Sequence, residues 1–152
     1  MPNDTTETLS QSECDDLRRI AGIMVPASAE FAVPGADDPV IFADILKSLG
    51  RDLAAVRRAL ADLSTLAGGV FATLDDNRVA AVAETFLAQE SPALTALGRA
   101  IAQCYYRDDR VMLSLGIEPR PPFPKGHPIE QGDWSLLDPV RARPPMWREA
   151  GA

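Results

Sequence analysis

The sequence predicts an all-α domain, a small bundle of about five to six short helices over residues 1–116, followed by an extended proline-rich tail over residues 117–152. Three observations carry that expectation. Apolar residues in the first 116 positions recur at helical spacing, and nowhere alternate over a length that a half-buried strand requires. Caps, prolines and glycines punctuate them as helix starts and stops. Eight of the chain's 13 prolines fall after Gly116, a density that a helix or central strand does not survive, because each removes a donor and restricts the residue before it.

Ser10 and Glu13 have the spacing of a capping box, with Leu9 and Cys14 placed to form a hydrophobic staple across it. Leu17, Ile20, Ala21 and Met24 follow on one helical face, and Pro26 ends the run. After a loop containing Pro34-Gly35, Asp38 and Pro39 supply a cap and a first-turn proline. They open a second helix through Ile41, Phe42, Ile45, Leu46 and Leu49, closed by Gly50. Leu53, Val56, Leu60 and Leu63 make the stripe of a third, which stops at Gly68-Gly69. A fourth is expected from Thr73, with Val79, Val82, Phe86 and Leu87 inward. Ser91-Pro92 repeats the cap-plus-proline device ahead of Leu94, Leu97, Ile101 and Tyr105, and a last short helix runs from Asp108 to Leu115 and ends at Gly116.

The charge and cysteine content narrow the function. A formal net charge of -7 repels phosphate backbones, and the basic residues never gather into a patch, so nucleic acid is not an expected partner. No apolar run approaches the roughly 20 residues of a membrane helix, so no membrane insertion is expected. The opening MPNDTTETLSQSECDD lacks the basic and apolar regions of a secretion signal and any twin-arginine pair. As written, the chain is expected in the cytoplasm. Cys14 and Cys104, far apart in sequence, are read as reduced and packed rather than bridged.

Residues that could carry chemistry do not assemble. Asp-Asp occurs at 15–16, 37–38, 75–76 and 108–109, each at or just before an expected helix start, where capping and the helix dipole account for it. His127, the single histidine, lies between Gly126 and Pro128 in the tail, a poor mount for a catalytic base. Neither C-x-x-C nor H-x-x-x-H spacing is present, and the glycines form no phosphate-binding loop. Tyr105-Tyr106 reads as the edge of a core. No catalytic, cofactor-binding or metal-binding residue is expected.

The tail is the informative part. It holds Phe123, Ile129, Trp134, Leu136, Leu137, Val140, Met146 and Trp147, side chains that a plain linker would lack, in neither helical nor strand period. Fully burying one of them is worth roughly 1.5–3 kcal/mol, so they need a surface to lie on. Phe123, Ile129, Trp134, Leu136, Leu137, Met146 and Trp147 are the expected partner-binding residues. The rival expectation is a self-contained helical protein or homo-oligomer whose tail covers its own core.

Two stretches point to a family. AGIMVPASAEFAVPGADDPVIFADIL (Ala21–Leu46) and CYYRDDRVMLSLG (Cys104–Gly116) resemble the gluconate 2-dehydrogenase subunit 3 family, whose pattern is an early helix, a "liP-a-s…PGA" loop and a later "YY-x-D-x-R-V…LG" turn. RPPFPKGHPIEQGDWSLLDPVRARPPMWR (Arg120–Arg148) is similar to the tail of some members. The resemblance implies a non-catalytic small subunit, without a cofactor of its own, that binds and stabilises a large subunit of the glucose–methanol–choline oxidoreductase family. That partner would hold FAD, oxidise a sugar or alcohol, and pass electrons to a cytochrome or another acceptor. Many relatives carry a twin-arginine signal. Its absence from this chain as written leaves three readings, a complex working in the cytoplasm, export handled elsewhere, or a periplasmic complex whose sequence was trimmed, of which the first is simplest.

Overall fold

The computed structural model describes residues 8–121, 123, 125–126, 129–144 and 146. Two positions of interest, His127 and the expected anchor Trp147, lie outside them. The chain divides into two compact units, Met1–Pro119 and Arg120–Ala152. The first is all-α, with six helices among the described residues: α1 (Gln11–Met24), α2 (Pro39–Ser48), α3 (Leu53–Ala67), α4 (Asp76–Leu87), α5 (Pro92–Tyr105) and α6 (Asp109–Ser114).

Local chemistry sets the ends of these helices. Ser10 caps α1 through a full capping box, its hydroxyl accepting the Glu13 N–H while the Glu13 carboxylate accepts the Ser10 N–H at 2.7 Å. Asp38 caps α2 and Ser91 caps α5, each followed by a first-turn proline. Helix α3 ends in a Schellman motif: Gly68 turns left-handed at φ 71°, its N–H reaches the Thr65 carbonyl, and the Gly69 N–H reaches that of Ser64. Gly116 and Ile117 close α6 by the same pair of bonds, to Leu113 and Met112.

The core is built on α3, which packs against α4 and α5, while α5 also packs on α2. Leu17, Ile20, Ile41, Ile45, Val56, Leu60, Leu63, Phe71, Phe86, Leu97, Ile101 and Val111 are its largest fully buried side chains. They lie on the faces the apolar spacing marks out. Leu87 departs from that pattern: it sits in the last turn of α4 and is exposed.

Two further sequence expectations are corrected. Helix α4 starts at Asp76 with Asp75 as its cap, not at Thr73. Thr73 instead ends a 3-10 turn (Phe71–Thr73), with its hydroxyl donating backward to the Val70 carbonyl, and the Arg78 N–H is taken by Asp75. The Asp15-Asp16 pair lies inside α1 and does not cap that helix. Asp16, only 4% exposed, caps the 3-10 turn from across the fold, accepting the Ala72 N–H at 2.7 Å. One turn along α1, Arg19 donates to the Ala72 carbonyl and to Asp76. Both polar groups of Ala72 are therefore held by α1, which fixes the approach of the turn to that helix. Burial pushes the Asp16 carboxyl above its usual range, against the opposing pull of the Ala72 and Phe71 N–H groups.

The second unit is not extended throughout. A 3-10 turn (Trp134–Leu137) runs directly into one turn of α-helix, α7 (Asp138–Arg141). Pro139 lies in the first turn of α7, where its missing N–H costs nothing. The Asp133 carboxylate accepts the Ser135 N–H at 3.0 Å and the Ser135 hydroxyl at 2.6 Å. At the other end Arg141 pairs with Asp138 at 3.3 Å. Proline density therefore limits helix length here without abolishing helix.

Candidate partner-binding surfaces

The two stretches that carry the family resemblance lie far apart in sequence, and the fold joins them. Arg110, in the first turn of α6, reaches the cap of α2: Nη2 lies 2.8 Å from Asp38 Oδ1 and Nη1 3.2 Å from Oδ2. The same guanidinium binds the cap of its own helix, Asp108, through Nε at 2.9 Å and Nη2 at 2.9 Å. Two helix starts are thus tied by one planar fork, whose donors match a carboxylate edge on each side. The guanidinium holds both carboxyls below the usual carboxylate range, and they hold its own ionisation far above the ordinary arginine value. Arg107 makes a parallel tie from the end of α5, donating to Asp44 and to the Ser48 hydroxyl of α2. Its Nη2 also lies 3.6 Å from the Cys104 sulfur.

An open groove of about 730 Å³ runs beside these ties, lined by Val40, Ala43, Asp44 and Lys47 of α2 and by Arg107. Its walls mix carboxylate, ammonium, guanidinium and small apolar groups with the Cys104 thiol. Cys104 and Cys14 are free thiols, and burial raises the ionisation of both above the ordinary cysteine value. Tyr105 and Tyr106 stack edge to face at 5.3 Å, the first buried and the second exposed. Among the described residues no three of His, Cys, Asp and Glu gather as metal ligands would.

The loop between α1 and α2 is ordered by its own backbone. Ser28 and Val33 exchange both hydrogen bonds of an antiparallel bridge, each at 3.0 Å. The tip between them turns through Ala32 at φ 51°, with the Ala32 N–H on the Ala29 carbonyl and the Phe31 N–H on the Ser28 hydroxyl. At the base, the Ala36 N–H binds the Val25 carbonyl at 2.9 Å, and Gly35 sits so close to Asp37 and Ala27 that no Cβ fits.

Of the expected partner-binding residues, six are described, and all are exposed. They range from 40% for Leu137 to 90% for Ile129, with Phe123, Trp134, Leu136 and Met146 between. The 3-10 turn brings Trp134, Leu136 and Leu137 together, which their spacing alone does not reveal. The local signal for that turn is Asp133 with Ser135, whose N–H and hydroxyl both bind the Asp133 carboxylate. Two features have no local signal in the sequence: the Arg110 tie and the exposed Phe31 at the tip of the first loop.

No family model, curated protein or solved structure matches this chain. Among the described residues no helix is long and apolar enough to cross a membrane.

Proposed function

We propose that this chain is the non-catalytic small subunit of a heteromeric FAD-dependent dehydrogenase. In this reading it binds and stabilises a large flavoprotein of the glucose–methanol–choline oxidoreductase family. The large subunit holds FAD and oxidises a sugar or alcohol, and a cytochrome is a suitable acceptor for its electrons. The observation that carries the reading is the row of exposed, aperiodic apolar side chains in the second unit: Phe123, Ile129, Trp134, Leu136, Leu137 and Met146. That much apolar surface left in water favours association with another polypeptide. The likeness of Ala21–Leu46 and Cys104–Gly116 to the gluconate 2-dehydrogenase subunit 3 pattern supplies the kind of partner. It is supported by the direct tie between those stretches through Arg110 and Asp38.

The mechanism is mass action. A subunit that binds only the folded flavoprotein stabilises it by about 2.7 kcal/mol at a hundredfold excess over the dissociation constant. The test is to purify the tagged full-length chain from its native host, in parallel with a chain ending at Gly116. The full chain is expected to bring a yellow companion with flavin absorbance. The shortened chain should lose it while keeping its helical circular dichroism. Equal recovery of the flavoprotein by both chains would remove the tail from the interface.

A further inference from the structure

We propose that Phe31 is a preformed anchor that enters an apolar pocket with a basic rim on the partner flavoprotein. The proposal rests on the subunit reading above and adds a point of engagement on the helical unit itself. Phe31 is the anomaly among the phenylalanines of that unit. Phe42, Phe71 and Phe86 are buried in its core, whereas Phe31 is 64% exposed at the loop tip.

The loop beneath it does not behave as a slack connection. The two-way Ser28–Val33 bridge, the Ser28 hydroxyl on the Phe31 N–H, and the Ala36–Val25 bond pin it at the tip, the waist and the base. Ala32 holds a left-handed conformation that an alanine rarely adopts, so the surrounding bonds determine the turn. An aromatic side chain on a backbone already ordered loses little entropy on binding, and this is the property that makes such residues anchors.

Charge identifies the kind of pocket. Between Arg19 and Lys47 the chain has no Lys or Arg, and it has Glu30, Asp37, Asp38 and Asp44. Asp38 and Asp44 are engaged by Arg110 and Arg107, and Asp37 lies at the base of the loop beside Gly22 and Gly35, which leaves Glu30, next to Phe31, as the exposed carboxylate at the tip. A receiving surface that is apolar at its centre and carries Lys or Arg at its rim complements this arrangement. An anionic lipid surface does not, because insertion of Phe31 would carry Glu30 toward like charge.

The test uses the full-length chain and the flavoprotein that co-purifies with it, separated and titrated against each other. Phe31→Ala is expected to weaken the dissociation constant roughly ten- to hundredfold, the worth of one buried aromatic. Phe31→Leu should keep most of the affinity, and Glu30→Lys should weaken binding and flatten its salt dependence. The melting temperature of each variant alone should match that of the parent. The proposal fails if Phe31→Ala binds the flavoprotein as the parent does. It fails equally if that variant melts lower on its own, which would mean that the chain itself covers the ring. Loss of binding to phosphatidylserine vesicles with the flavoprotein affinity intact would assign Phe31 to a membrane instead. If the parent chain retains no flavin-bearing companion, this proposal and the subunit reading fall together, whereas equal retention by parent and variant removes only Phe31.

Discussion

Replacing Arg110 with methionine isolates the tie between the starts of α2 and α6. The change keeps much of the side-chain stem and leaves both caps in place, because the Val40 N–H still binds Asp38 and the Arg110 backbone N–H still binds Asp108. What is lost is a fork with two contacts on each carboxylate, all between 2.8 and 3.2 Å. Exposed ion pairs contribute about 0.2–1 kcal/mol each. Two-pronged geometry on both carboxylates raises that value, and the 44% exposure of the Arg110 side chain limits it. The loss should be about 1–2 kcal/mol in urea unfolding, or a melting temperature lower by roughly 4–10 °C. Arg110→Lys should recover less than half, since a point charge cannot grip two carboxylate edges together. The pH dependence is a second check. Asp38 and Asp108 bind protons less readily when folded than when unfolded, so their contribution is complete above the ordinary carboxylate range and disappears as pH falls through their folded values. The difference between parent and Arg110→Met should be flat from about pH 5 to pH 8 and close below about pH 4. A variant as stable as the parent at neutral pH would refute the tie as a structural element.

Other changes probe the fold independently. Asp16→Ala strands the Ala72 N–H in the interior and should cost roughly 1–3 kcal/mol in chemical denaturation. Because burial raises the Asp16 carboxyl, the folded chain holds that proton longer than the unfolded one, and its contribution falls as pH rises from the ordinary carboxylate value through the folded value. The stability of the parent relative to Asp16→Asn should therefore decline as pH rises above about pH 4, and a constant difference would contradict the shift. Gly68→Ala meets open space but a left-handed backbone, so a loss of about 1 kcal/mol is expected in thermal unfolding, and none would mean that the end of α3 is free to rearrange.

The features legible in the sequence are those encoded within a few residues of one another. Ser10 with Glu13, Asp38-Pro39, Ser91-Pro92 and Gly68-Gly69 each specify a helix end through contacts three or four positions away. Asp16 and Arg110 were opaque for the opposite reason. Their partners lie 56 and 72 residues away, and nothing in the identity of an aspartate says whether it caps its own helix or a turn packed against it. The 3-10 turn in the second unit is concealed by the overall proline density of the tail, because it falls in a stretch from Ile129 to Asp138 without any proline. The apolar residues there stand out by composition. Phe31 does not, because a single phenylalanine in a loop becomes informative only once the bridge beneath it is known.

Asp38 has a consequence for what this chain tolerates. Ser91 does one job, so serine, threonine, asparagine and aspartate are near-equivalents at position 91. At position 38 a serine would open α2 equally well yet leave Arg110 with a single anchor, and asparagine would supply the shape without the charge. A saturation library should accordingly accept several residues at 91 and essentially one at 38, a contrast that short-range helix rules do not anticipate.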